Sequence, residues 1–307
     1  PAGSGSSPVG NQTGYGEYSL NSITTGTHNS AFGFHSLSLL TTGTHNTAYG
    51  LGSARYATTA NYGVYIGENA GRSVARDKTV CIGVSAGQSA VGFESVCIGY
   101  QSLYSGANSA YGNVLVGAHS AKSMSGYLNT CLGYYSGQNV TSGTNNSLIG
   151  YLSGTGNSPS GNITTASNTV CIGNNSVTDA YIKVSWTVTS DARMKTNIQP
   201  FQFDSLSYIN SLEAKQYNMN NPDDYIEAGI DNDGSLADSN ISIGFIAQDV
   251  QNIENSMTPN EIIVNSKNPD NLGIRYTALV PILVDAMQKQ QTIINNLKAR
   301  IEVLENA

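Results

Sequence analysis

The chain has 307 residues, 33 of them Gly, with 11% charged residues and a formal net charge of −7. A chain this rich in Gly and poor in charge is neither a charge-driven disordered protein nor one long coiled coil. It holds no run of 18 apolar residues, and Pro1 to Gly10 lack a basic-then-apolar pattern, so neither membrane insertion nor a secretory leader is expected; Pro1 reads as the cut end of a longer chain.

The charges divide the chain near Thr189. Residues 1–189 carry 6 Lys/Arg and 5 Asp/Glu with 29 Gly and all four Cys, whereas residues 190–307 carry 8 Lys/Arg, 16 Asp/Glu and 4 Gly. Two physically different domains, 1–189 and 190–307, are therefore expected. Neither is basic, which argues against a nucleic-acid partner.

The first domain is a repeat. An apolar residue precedes Gly at Phe32-Gly33, Tyr49-Gly50, Ile66-Gly67, Ile82-Gly83, Ile98-Gly99, Val116-Gly117, Leu132-Gly133, Ile149-Gly150 and Ile172-Gly173, with Gly spacings of 17, 17, 16, 16, 18, 16, 17 and 23. Three residues after each Gly stands a small residue: Ser36, Ser53, Ala70, Ala86, Ser102, Ser120, Ser136, Ser153 and Ser176. Units this short hold a strand and a turn, and a single rung cannot bury its own apolar side. Stacked rungs, a β-solenoid or β-roll, are the expected solution. Gly at fixed register suits corners that need positive φ or close backbone approach.

Cys81, Cys97, Cys131 and Cys171 each lie two residues before a repeat Gly, where other rungs place Tyr65, Leu115 and Leu148. Exchange with Leu points to free thiols packed inward rather than disulfides, and no zinc-type Cys/His spacing is present. His28 and His45 share one place in Thr-Thr-Gly-Thr-His-Asn, which in a symmetric oligomer would suit metal rings; the third copy, ending Asn145-Asn146, favours a polar turn, and no metal or cofactor is expected. Glu17, Glu68, Asp77, Glu94 and Asp179 share no repeat position, so the paired carboxylates of a glycosidase are not expected in the shaft. Fourteen of the 18 Tyr lie here, read mainly as strand residues and secondarily as surfaces for stacking on sugars.

Residues 14–180 resemble the Gly-rich β-structured shafts of phage and giant-virus fibres and, more loosely, the head repeats of trimeric bacterial adhesins. The resemblance implies a homotrimer wound about one axis, as a trimeric β-solenoid, β-roll or triple β-helix.

At the composition boundary stands Thr189-Ser190-Asp191-Ala192-Arg193-Met194-Lys195. Ile243-Gly244-Phe245-Ile246-Ala247-Gln248-Asp249-Val250 and Ile274-Arg275-Tyr276-Thr277-Ala278-Leu279-Val280-Pro281 follow. By itself the first block reads as a helix cap at Ser190 with Asp191 in the first turn. The acidic stretch from Asn221 to Ser239 reads as a surface loop. The terminal segment, about 276–305, reads as a helix with a heptad seam at Leu283, Met287, Gln290, Ile294, Leu297, Ile301 and Leu304; its rival is one amphipathic helix packed on its own domain.

The three blocks and the helix, in that order over residues 188–305, resemble the intramolecular chaperone auto-processing domain at the C-terminus of phage tail spikes and tail fibres. The resemblance implies a smaller α+β domain ending in a trimeric coiled coil, which assists trimerisation of the preceding fibre and then cuts itself off. It implies a Ser-Lys peptidase with Ser190 as nucleophile, Lys195 as general base and the scissile bond between Thr189 and Ser190. A lysine can take the serine proton only if its pKa falls from about 10.4 toward 7 or 8, and Arg193 is a candidate cation for that, with Asp191 beside it. Positions five apart meet in neither a strand nor a helix, which leaves a tight turn after Ser190 or a base from a neighbouring subunit; the second is preferred because it would explain cleavage after trimerisation.

The expected function is that of a virion tail fibre or spike fragment. It would be assembled in the host cytoplasm and attach to a host surface receptor, with carbohydrate a candidate. The alternatives are a self-cleaving trimeric regulatory protein and a bacterial trimeric adhesin fragment.

Overall fold

The structure is a computed structural model that describes residues 10–73, 76–89, 92–106, 110–220, 229–258, 260–267 and 272–306. Chain contacts divide it into two units, Pro1–Thr178 and Asp179–Ala307.

The first unit is a β-solenoid. Ten three-residue strands, β1 (Thr13–Tyr15), β2 (Ser30–Phe32), β3 (Thr47–Tyr49), β4 (Val64–Ile66), β5 (Val80–Ile82), β6 (Val96–Ile98), β7 (Val114–Val116), β8 (Thr130–Leu132), β9 (Ser147–Ile149) and β10 (Val170–Ile172), form one parallel sheet in sequential order. Each strand pairs with the next rung of the same chain, as in Cys81 opposite Cys97, so the rungs close within one chain and a triple β-helix is excluded. One rung was not counted from the sequence. Tyr15-Gly16 with Ser19 obeys the same rule, and Gly16 has the positive φ of the other repeat glycines.

The middle residue of nearly every strand is buried: Ala31, Ala48, Tyr65, Cys81, Cys97, Leu115, Cys131, Leu148 and Cys171. All four cysteines are free thiols. The small residues three after each Gly are buried from Ser36 through Ser153, while Ser176 is exposed because no further rung covers it. At the repeat Gly, a Cβ on Gly33 would sit 2.5 Å from the Gly50 carbonyl oxygen, which no side chain tolerates. Before each strand one residue also takes left-handed φ; it is Gly112 ahead of β7 and a non-glycine residue in the other rungs, including His28, His45, Lys78 and Asn145. That conformation is costly away from Gly, and at His45 the amide bond to Thr27 O (3.0 Å) helps to hold it.

A buried polar ladder runs one residue before the strands. Asn46 donates from both its amide and its Nδ2 to Asn29 Oδ1 (3.0 and 2.9 Å), and Gly63 N donates to Asn46 Oδ1 (2.9 Å). The motif repeats at Asn113, Asn129 and Asn146. Rung four departs from the ladder: Gly63 replaces Asn and Gly71 opens a corner, and into this space fits Tyr65, whose hydroxyl donates to Arg76 O (3.0 Å).

In the second unit, residues 179–189 are exposed and without regular structure. There follow α1 (Ser205–Ser211), β11 (Lys215–Asn218), β12 (Ile241–Gly244), α2 (Ala247–Met257), β13 (Val264–Asn265), β14 (Gly273–Ile274) and α3 (Leu279–Glu305). β11 pairs with β12 and β13 with β14, both antiparallel. Of the expected acidic loop, residues 229–239 are turns that are mostly exposed, while 221–228 lie outside the described residues. Tyr208, Val250, Ile263, Val264, Leu279 and Ile282 form the core. At its centre is a buried carboxylate. Glu254 Oε1 accepts from the Tyr208 hydroxyl (2.9 Å) and the Ile263 amide (2.7 Å), so a charge in an apolar site is held by fixed donors.

The terminal helix begins after a 3-10 turn at Tyr276–Ala278, with Pro281 in its first turn, where a missing amide donor costs nothing. Only Leu279, Ile282 and Ala286 are buried, and residues 290–306 are exposed throughout. The rival reading of a helix packed along its own domain therefore holds for the first two turns alone. No described helix is long and apolar enough to cross a membrane.

Candidate functional site

The candidate site is a tight turn at the start of the motif. Asp191 lies in an extended conformation and its carboxylate accepts from the Arg193 amide at 2.8 Å, which caps a 3-10 turn over Ala192–Met194. Met194 N donates to Asp191 O and Lys195 N to Ala192 O, both at 3.1 Å. The cap is thus Asp191, not Ser190 as the block by itself suggested. The turn folds the chain back, and Lys195 Nζ reaches Ser190 Oγ at 2.7 Å. Of the two routes open to residues five apart, the tight turn within one chain is the one present. A 3-10 turn makes this contact within one chain because it reverses the chain in three residues, whereas strand and helix do not.

Arg193 has a different place from the one expected. Its Nε and Nη2 bind the Asp191 carboxylate at 3.0 and 2.6 Å. The guanidinium is therefore engaged by an anion rather than free to act on Lys195, and with the turn amide it holds the Asp191 carboxyl below its ordinary range. Among the described residues no carboxylate forms an ion pair with Lys195. Thr189 and Ser190 are both exposed.

A second Ser-Lys contact shows why context matters. Lys289 Nζ donates to Ser205 Oγ at 3.0 Å, but it also pairs with Asp285 at 2.9 Å and faces Asp204 at 3.9 Å. Two carboxylates engage that lysine, so this pair ties α1 to α3. Sequence reading missed it because its members lie far apart along the chain.

The later motif blocks have structural work. Phe245 N donates to the Tyr276 hydroxyl (3.1 Å) and the rings of Phe245 and Tyr276 lie 6.0 Å apart, while Val250 and Leu279 enter the core. A Cβ at Gly244 would collide with the Tyr276 hydroxyl, which accounts for the glycine. Among the described residues no hydrogen bond or ion pair joins these blocks to Ser190 or Lys195.

In the solenoid, His28 and His45 stack at 4.7 Å and His45 stacks on Tyr62 at 5.0 Å. Parallel stacking makes an aromatic ladder of these positions. Among the described residues no group of three or more His, Cys, Asp or Glu is placed to hold a metal ion.

No curated protein and no solved structure matches the chain. Residues 190–261 match the peptidase family described as the chaperone of endosialidase, and this match begins at Ser190 and spans the first two motif blocks but not the third. Together with the α+β unit ending in a long helix after a β-solenoid, it supports a C-terminal intramolecular chaperone domain of the kind carried by tailspike-type proteins.

Proposed function

We propose that the chain is a fragment of a viral tail fibre or spike: a homotrimeric β-solenoid shaft for host attachment, followed by a chaperone domain that promotes trimer folding and then removes itself between Thr189 and Ser190. The observation that carries the cleavage step is the 2.7 Å contact between Lys195 Nζ and Ser190 Oγ in an exposed turn, within a segment that matches a peptidase family.

The chemistry follows from the serine lying directly after the bond to be cut. Neutral Lys195 takes the Oγ proton, and Oγ attacks the Thr189 carbonyl carbon through a five-membered ring. The Thr189–Ser190 C–N bond breaks, the proton passes to the Ser190 nitrogen, and an ester joins Thr189 to Ser190 Oγ. Water then hydrolyses the ester, leaving a Thr189 carboxylate and a free Ser190 amine. One bond is cut per chain and the reaction needs no cofactor. Asp191 and Arg193 position the turn.

The trimer is supported by the apolar seam of α3, where Leu283, Met287, Ile294, Leu297, Ile301 and Leu304 are all exposed in the single chain. Three such helices would bury the seam. A location in the virion and a surface receptor belong to the same proposal.

Mass spectrometry of folded protein tests it. A new N-terminus at Ser190 is expected in the wild type, with Ser190→Ala and Lys195→Met remaining full length. Absence of that N-terminus, or cleavage persisting in Ser190→Ala, overturns the auto-processing claim.

A further inference from the structure

Residues 1–189 hold six cations, and three of them share one station of the repeat. Arg55, Arg72 and Lys122 occupy one station, five residues after the repeat glycines Gly50, Gly67 and Gly117, and Gln88 and Tyr104 fill the two rungs between. Backbone bonds tie this row together: Tyr56 N to Arg72 O (2.9 Å), Ser73 N to Gln88 O (2.8 Å), Ser89 N to Tyr104 O (3.2 Å) and Ser105 N to Lys122 O (2.9 Å). With rungs about 4.8 Å apart, the row runs from rung to rung along the stack.

At one end of the row the Arg55 and Arg72 guanidinium carbons lie 5.2 and 5.6 Å from the ring centre of the exposed Tyr56. At the other, Lys122 Nζ lies 5.8 Å from the Tyr104 ring. None of the three cations has a carboxylate partner among the described ion pairs. Arg72 Nε is moreover buried with no hydrogen-bond partner among the described residues.

We propose that Arg55, Tyr56 and Arg72 bind the acidic group of a saccharide chain, which then runs along Gln88, Tyr104 and Lys122. A guanidinium fork matches a carboxylate or sulfate in two hydrogen bonds. Tyr rings offer a face to a sugar ring, and the Gln amide pairs with hydroxyls. Nucleic acid fits less well, since its phosphates need a dense basic track and residues 1–189 are almost neutral overall. The inference deepens the attachment reading above and rests on it, but direct binding to purified protein can fail while that reading stands.

The test is calorimetric titration of the full-length chain with oligogalacturonate (carboxylates only), a heparin-derived hexasaccharide (mainly sulfates), neutral maltohexaose and an oligothymidylate. Saturable binding of one or both acidic sugars is expected, weakening as salt rises, and which of them binds identifies the acidic group. Arg72→Ala should weaken it about tenfold or more, the loss typical of a charged hydrogen bond, and Tyr56→Ala should weaken it too. Arg72→Lys, which keeps charge and packing, should still lose affinity because the fork is gone. Equal binding of maltohexaose, tighter binding of oligothymidylate, no binding of either acidic sugar, or unchanged affinity in Arg72→Lys and Arg72→Ala overturns the proposal.

Discussion

At the scale of single residues, the four thiols illustrate how burial and local bonding pull apart side chains that occupy the same repeat position. Burial pushes the Cys131 thiol up to about 12. Hydrogen bonding to Cys97, with burial, also raises Cys81. At Cys171 burial acts the same way, but hydrogen bonds from Ser153, Ser160, Ser158 and the Gly154 backbone outweigh it and leave the thiol below its ordinary value. Because the thiolate is the reactive form, native protein treated with a thiol reagent should label first at Cys171, in the terminal rung. Cys131 should react only on unfolding, and all four should react in denatured protein without prior reduction. Peptide mapping of the labelled protein checks this. At the cleavage turn, Arg193→Ala would remove the guanidinium that holds the Asp191 cap at 3.0 and 2.6 Å. Cleavage should then slow in a time course read on a gel, because the turn that keeps Lys195 Nζ 2.7 Å from Ser190 Oγ is held less firmly.

At the scale of elements, Glu254 on α2 holds together α1, through Tyr208, and the segment entering β13. Glu254→Ala leaves a buried hydroxyl and amides without partners, which costs about 3 kcal/mol or more at roughly 1–3 kcal/mol per group. Calorimetric melting of the C-terminal unit should show the loss. The Tyr208 hydroxyl is raised above its usual value near 10 by burial and then by the Glu254 carboxylate. Its folded pKa exceeds the unfolded one, so its contribution to stability is complete below about pH 10 and declines as pH rises toward the folded value. Tyr208→Phe should remove that alkaline decline while costing about 1 kcal/mol at neutral pH. Along α3, Leu297→Asp places a charge in the exposed seam, away from the face that Leu279, Ile282 and Ala286 pack into the domain. Light scattering should show loss of the trimer, with the melting of the domain core little changed.

At the scale of the whole molecule, folding of the shaft is governed by entropy. A Gly-rich chain must surrender conformational freedom at every rung before contacts with the next rung compensate. In the proposed trimer, a C-terminal clamp would raise the effective concentration of neighbouring shafts. Deleting residues 292–307 should therefore reduce the yield of soluble trimeric shaft, measured by size-exclusion chromatography with light scattering, while the α1, α2 and α3 core still melts cooperatively.

The sequence by itself determined the rungs, the inward thiols, the motif that begins at Ser190 and the terminal helix, because each is a local pattern: a Gly that no Cβ can replace, a strand centre that accepts only an apolar side chain, a heptad. Even the rung at Tyr15-Gly16 was legible by the same rule. What only the tertiary structure decided were relations between residues distant in sequence or set by backbone geometry. The Asn29–Asn46 ladder, the Tyr208–Glu254 contact and the Arg55–Tyr56–Arg72 cluster all arise because rung stacking or helix packing brings together residues that no short window contains. The Ser190–Lys195 contact belongs with them. Residue spacing ruled out strand and helix, but a single carboxylate, Asp191 accepting from the Arg193 amide, turns the chain back within three residues and makes a contact that periodicity has no means to express.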